Sequence, residues 1–172
     1  GNDYVDGFNG GNTIYGESGN NILKGGTGND TIYGGTGNDT LYGIDGSNIL
    51  DGSLGGNNTF IGGSGKDTMT GGAGVDTISY SASELGIKVV LKDGTGGDFG
   101  TITTTSVNED YLKTHFEAIV ATSHKDNIDL TNATNTTTIF AKGGDDVIIS
   151  SKAYGDTIYT GSGDDTIFAG GG

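Results

Sequence analysis

Residues 25–42 read GGTGNDTIY and then GGTGNDTLY, two nine-residue units back to back. Each unit opens with paired glycines, carries an aspartate at its sixth place and an aliphatic residue at its eighth. Self-similarity at a short fixed period marks a stacked repeat, and no other feature of the chain constrains its fold as tightly. The first six residues suit a turn and the last three a short strand. Glycines at places one, two and four allow backbone angles that a Cβ resists. Such an arc can aim several carbonyl oxygens inward, and the aspartate adds a carboxylate. Hard oxygens of these two kinds are what Ca²⁺ takes, about six to eight of them at roughly 2.3–2.6 Å. The eighth residue stands alone between polar neighbours, the period of a half-buried strand. One unit cannot bury it, whereas units stacked about 4.8 Å apart can.

These two units resemble the RTX nonapeptide, GGxGxDxUx with U a large apolar residue. The likeness recurs in phase over residues 1–80 and more loosely over 121–172. It implies an all-β fold, a right-handed parallel β-roll (a β-solenoid) with two nonapeptides per coil. It implies several Ca²⁺ ions held between turns stacked on the same side. It also implies export through a type I secretion channel to an extracellular or bacterial cell-surface location.

The acidic place can be followed through the first 80 residues as Asp3, Asn12, Asn21, Asp30, Asp39, Asn48, Asn58, Asp67 and Asp76. The spacing is nine except for one step of ten within residues 52–61, which reads as a one-residue bulge. The apolar place follows as Val5, Ile14, Leu23, Ile32, Leu41, Leu50, Phe60, Met69 and Ile78, the expected core. Sorting the turns by side gives Asp3, Asn21, Asp39, Asn58, Asp76 on one and Asn12, Asp30, Asn48, Asp67 on the other. Every same-side neighbouring pair therefore joins one Asp to one Asn. The Asn units also tend to lose their second glycine, as in GFNGGN, GESGNN and GIDGSN. Two readings stay open. The Asn oxygen can ligate Ca²⁺ without charge, giving weaker mixed sites. Alternatively the Asn turns are metal-free spacers closed by side-chain hydrogen bonds to backbone. Partial occupancy of the seven same-side gaps is the expectation.

Residues 81–120 break the period. A strand is expected around Ile87–Leu91, a glycine-rich loop at 94–100 and a second strand at 102–108. Residues 109–120 read two ways: Asn108 could cap a short helix, or residues 115–120 form a strand in an irregular insert that continues the solenoid, as the family resemblance implies. The strand is the reading adopted. Residues 121–172 resume the repeat, with Asp126, Thr137, Asp146, Asp156 and Asp165 at the acidic place and Ile128, Ile139, Ile148, Ile158 and Ile167 as the ladder. Asp146 and Asp165 are expected to frame the tightest calcium site, with Asp126 and Asp146 the next pair. Asp146→Ala should weaken both.

Composition narrows the function. There are 36 Gly in 172 residues, no Pro, Cys or Trp, and a formal net charge of −14. A hydrophobic share of 31% means a thin core whose acidic turns need a cation. All eight basic residues are Lys, a charge balance unsuited to nucleic acid. No run of about 18 apolar residues suggests a membrane span. The chain begins and ends in mid-repeat and reads as part of a longer array, whose roll ends would be covered by neighbouring domains or other copies.

No nucleophile–base constellation is evident, so no enzymatic role is expected. His115 and His124 have no metal-ligand spacing, and His124 reads as a turn substitution. The adjacent acids Asp145/Asp146 and Asp164/Asp165 recur with the repeat and read as turn acids rather than glycosidase carboxylates. Thr27/Asn29 and Thr36/Asn38 fall on opposite sides and so build no flat ice-binding rank. Tyr15, Tyr33 and Tyr42 could stack glycans, although Tyr also simply favours strands. The expected role is a calcium-binding structural module of an S-layer or adhesin protein. The alternatives are a folding and secretion module appended to a secreted enzyme or toxin, and a ligand-binding solenoid face.

Overall fold

The structure, a computed structural model, describes residues 1–91, 94, 100–104 and 109–171. Among these there are eighteen strands and no helix. The chain divides into two compact units, Gly1–Ile78 and Ser79–Gly172.

In the first unit the strands are β1 (Tyr4–Asp6), β2 (Thr13–Tyr15), β3 (Ile22–Thr27), β4 (Thr31–Tyr33), β5 (Thr40–Asp45), β6 (Ile49–Asp51), β7 (Thr59–Ser64), β8 (Thr68–Thr70) and β9 (Thr77–Ser79). Odd-numbered strands form one sheet and even-numbered strands the other. All pairs are parallel, so the chain winds from sheet to sheet as a β-solenoid. The register stacks like on like: Leu23 on Leu41 and Leu41 on Phe60 in one sheet, Ile14 on Ile32 and Ile32 on Leu50 in the other. Leu23, Ile32, Leu41, Leu50, Phe60, Met69 and Ile78 are wholly buried and Ile14 nearly so. The period of two thus places one side chain per strand inside and its neighbours outside.

Two expectations take a more particular form here. Val5 is half-buried; among the described residues β1 pairs with β3 alone. The one-residue bulge expected within 52–61 is present and lies in the turn rather than in a strand. It is taken up in the turn, where Leu54 is exposed and Gly55 N–H donates to Gly52 O at 3.1 Å. The β5–β7 register passes undisturbed, Thr40 opposite Thr59. The strands also exceed three residues in places: β3, β5 and β7 are six residues long, their last three entering the segment that opens the next turn.

The second unit contains β10 (Ile87–Leu91), β11 (Gly100–Thr104), β12 (Glu109–Leu112), β13 (Ala118–Val120), β14 (Asn127–Asp129), β15 (Thr138–Phe140), β16 (Val147–Ile149), β17 (Thr157–Tyr159) and β18 (Thr166–Phe168). β10, β11 and β12 form an antiparallel meander, and β10 pairs in parallel with β14. The parallel stacks β14–β16–β18 and β13–β15–β17 then resume the solenoid. Residues 109–120 thus hold two strands and no helix. Asp110 is buried there and accepts a hydrogen bond from the Tyr80 hydroxyl, a tertiary contact that local helix signals do not encode. Asn108 and most of the 94–100 loop lie outside the described residues. Ile128, Ile139 and Ile148 are wholly buried, but Ile158 is half-buried and Ile167 is 45% exposed. Those two belong to β17 and β18, each paired on one side only.

Candidate metal centre

The residues at the acidic place form continuous ladders along both sides of the first unit. On one side Asp3 N–H donates to Asn21 Oδ1, Asn21 to Asp39, Asp39 to Asn58 and Asn58 to Asp76, at 2.8–3.0 Å. On the other, Asn12 donates to Asp30, Asp30 to Asn48 and Asn48 to Asp67, at 2.7–2.9 Å. The sequence reading missed this role. Asp and Asn share an Oδ1 acceptor, so either one satisfies the backbone of the coil beside it. That shared atom gives a physical reason why either residue can hold this place in the ladder.

A second ladder, also unforeseen, runs through the fifth place. Asn20 N–H donates to Asn2 Oδ1, Asn38 to Asn20, Asn57 to Asn38 and Val75 to Asn57, at 2.8–2.9 Å. The recurrence of Asn directly after the glycine at the fourth place was its signal. Thr27 and Asn29 lie across the roll from Thr36 and Asn38, yet each joins a rank on its own side. Thr27 bonds to Asn9, and Asn29 accepts from Ser47.

The second oxygen of several buried aspartates behaves differently. Asp30 and Asp39 are 1% exposed, Asp146 is fully buried, and in all three Oδ2 has no hydrogen-bond partner. An unpartnered buried carboxylate oxygen is costly unless a cation meets it. In Asp30 and Asp39 the Oδ2 turns into the glycine arc of its own turn. A Cβ on Gly25 would stand 2.3 Å from Asp30 Oδ2, and one on Gly34 2.7 Å from Asp39 Oδ2. Asp67 and Asp76 point the same way, 2.4 and 2.6 Å from where Gly62 and Gly71 would carry a Cβ. Among the described residues no three His, Cys, Asp or Glu side chains cluster. One carboxylate per turn plus backbone carbonyls is a hard-oxygen donor set, which fits Ca²⁺ and not a soft metal.

In the second unit Asp126, Asp146 and Asp165 stack as expected. Asp126 N–H donates to Asp146 Oδ1 at 2.8 Å and Asp146 N–H to Asp165 Oδ1 at 3.0 Å. Thr137 N–H donates to Asp156 Oδ1 at 2.9 Å, which places Thr137 in the ladder as well. Two of these carboxylates are already occupied. Asp126 accepts from Ile87 N–H and from both the N–H and the hydroxyl of Thr122. Asp156 Oδ2 accepts from Ser150 Oγ and Ser151 N–H. Asp165 lies half-exposed in the last turn. Asp145 Oδ1 accepts from Asp164 N–H, so the adjacent acids serve the same ladders. His115 is held by Thr134, and His124 N–H and C=O both meet Thr122 Oγ1 in a turn.

Burial, with the neighbouring charges of Asp126, Asp165 and Asp145 adding, pushes the Asp146 carboxyl up to about 6. Burial also raises Asp126, against the hydrogen bonds it accepts. A folded-state value above the unfolded one means that the folded chain holds a proton which the unfolded chain has released. Metal-free stability contributed by Asp146 is therefore present at low pH and falls as pH rises from about 4 to about 6. Calcium requires the ionised form, so its apparent affinity at this turn should weaken about tenfold per pH unit below about 6. Calcium titrations at pH 7 and pH 5 measure this; equal affinity at both would contradict it.

The fold and these turns define a parallel β-roll with hard-cation half-sites repeated along its edges. A family model, the RTX calcium-binding nonapeptide repeat, matches four times, at residues 1–23, 24–56, 54–82 and 148–172. The chain belongs to this family, and its repeats are calcium-binding. Residues 121–147, expected to resume the motif, lie outside the match; they contain the Thr122-closed turn of Asp126 and the Thr137 turn. Among solved structures the chain is similar to the extracellular lipase LipA from Serratia marcescens, at 17% identity and a TM-score of 0.29. That alignment covers 90% of this chain and 28% of the lipase, so the chain spans under a third of that protein's length, and the fit is too loose to compare residues. No curated protein matches the chain.

Proposed function

We propose that the chain is a calcium-folded structural module of an extracellular or cell-surface bacterial protein, of the S-layer or adhesin type, without catalysis of its own. The observation that carries it is the buried, unpartnered Oδ2 of Asp30 and Asp39 inside glycine arcs, with the Oδ2 of Asp146 likewise buried and unpartnered. The 22 acidic residues against eight Lys repel one another in the open chain as in the folded one. The one or two apolar side chains that each strand buries offset little of the ordering entropy. Bound Ca²⁺ supplies the positive charge that these turns lack, and its binding free energy becomes folding free energy. In low cytosolic calcium the chain stays open and exportable; in millimolar calcium outside, it closes.

The outer faces support a structural or adhesive use. Tyr15 and Tyr33 stack at 4.9 Å, as do Phe140 and Tyr159, and Lys24 lies 5.4 Å from the Tyr4 and Tyr42 rings. Such ranks repeat one chemical group along a face, which suits a surface that meets many copies of a partner. Electron microscopy and a cell-binding assay in millimolar calcium test the reading. Ordered assemblies or cell attachment are expected. A folded chain that remains monomeric and binds no cells would instead favour a secretion module appended to an enzyme.

A further inference from the structure

We propose that only the open aspartate turns take calcium, and that in each asparagine turn the side-chain amide stands in the place of the ion. The proposal rests on the calcium-folding reading above and assigns its sites turn by turn. The two turn types are superposable in register but opposite in polarity. In the Asn turns the atom aimed into the arc is Nδ2, 2.8 Å from where a Cβ on Gly7 or Gly16 would stand, for Asn12 and Asn21 respectively. In the Asp turns the corresponding atom is Oδ2.

Asn12 shows what Nδ2 meets there. It donates to Gly7 O at 3.2 Å, Gly10 O at 2.9 Å and, across the gap, Gly25 O at 3.4 Å. Asn21 Nδ2 donates to Gly16 O and Gly19 O, both at 3.2 Å, and to Asp39 Oδ1 at 2.9 Å. Asn58 Nδ2 donates to Gly52 O and Gly56 O. A ring of carbonyl oxygens around a positively polarised nitrogen is complete as it stands. The register places Gly25, Gly28 and Gly43 around Asp30 as Gly7, Gly10 and Gly25 stand around Asn12. There an acceptor faces acceptors, and only a cation makes the arrangement favourable.

The same substitution of a donor for an ion recurs in the second unit with different residues. Thr122 fills it for Asp126, and Ser150 with Ser151 for Asp156. Asp146 alone of these three retains an unpartnered Oδ2. Three of the four Asn turns of the first unit also differ in backbone at the second place. Phe8, Glu17 and Ile44, at the second place of Asn turns, have φ of 61°, 62° and 82°, whereas Gly26, Gly35 and Gly63 of Asp turns have 94–106°.

Reciprocal substitutions in the full chain test this, with CaCl₂ as the probe and bound calcium counted by equilibrium dialysis and atomic absorption. Asp39→Asn should bind one ion fewer than the wild type and still fold in calcium, with the slope of folding equilibrium against log calcium reduced by about one. Asn12→Asp should bind one ion more and need more calcium to fold. An unchanged count in either variant would overturn the proposal, as would failure of Asp39→Asn to fold at saturating calcium. A wild type that binds no calcium would instead sink the functional reading itself.

Discussion

Phe60→Ala is expected to cost the first unit about 3–5 kcal/mol even at saturating calcium, in the range of Phe→Ala in packed cores. Phe60 is wholly buried and is the largest side chain of its ladder, in register with Leu41 on one side and Ile78 on the other. In a stacked repeat each coil contacts only its neighbours, so a void at one rung weakens the coils on both sides. The turns next to Phe60 should lose calcium affinity in proportion, since they bind only when the coils are closed. Urea denaturation followed by circular dichroism measures the loss. Val5→Ala is the control, because Val5 is half-buried in an end coil; its expected cost is under about 1 kcal/mol. Equal losses at Phe60 and Val5 would show that the apolar ladder is not what carries the stack.

Gly63→Ala is expected to be nearly as damaging through the backbone. Gly63 has φ +95°, and a Cβ there would stand 2.0 Å from Ile44 O and 2.7 Å from Ile44 C. The neighbour is main chain of the adjacent coil and cannot turn aside as a side chain would. Relief requires the coils to part locally, against hydrogen bonds that hold them. Left-handed backbone adds about 1–2 kcal/mol for a residue with a Cβ, and the displaced coil brings the total to about 3 kcal/mol or more, a size reserved for such backbone and packing faults. Ile44→Gly, at the same place one coil earlier, removes a Cβ that already sits at φ +82°. It should be tolerated to within about 1 kcal/mol. Calcium-saturated melting of both variants makes the comparison, and a tolerated Gly63→Ala would mean that the turns are looser than their spacing implies.

Much of this was legible in the sequence. The nine-residue phase located the strands, assigned them to two parallel sheets and picked out the buried Leu, Ile, Phe and Met of the first unit. The Asp/Asn alternation was visible too. Its meaning was not, because Oδ1 and the second side-chain atom do separate jobs that only the register of neighbouring coils distinguishes. Val5, Ile158 and Ile167 are less buried than the rest of the ladder, in strands that pair on one side only among the described residues. The antiparallel meander of β10, β11 and β12 was only half legible. Ile87–Leu91 alternates as a strand should, but β12 is fixed by pairing with β11 and by the Tyr80–Asp110 contact. The closure of Asp126 by Thr122, four residues away, depends on a turn outside the nonapeptide pattern.

Far-ultraviolet circular dichroism during a Ca²⁺ titration, with Mg²⁺ as control, tests the central claim most directly. Buried carboxylate oxygens without partners, in a chain of net charge −14, should keep the metal-free chain open. A transition from disordered to β between micromolar and millimolar Ca²⁺, absent with Mg²⁺, is the expected result. Magnesium holds its waters and demands tighter octahedral geometry than a carbonyl-lined arc provides. A full β spectrum in the presence of chelator would contradict calcium-coupled folding and mean that the apolar ladders and side-chain ladders alone hold the solenoid closed.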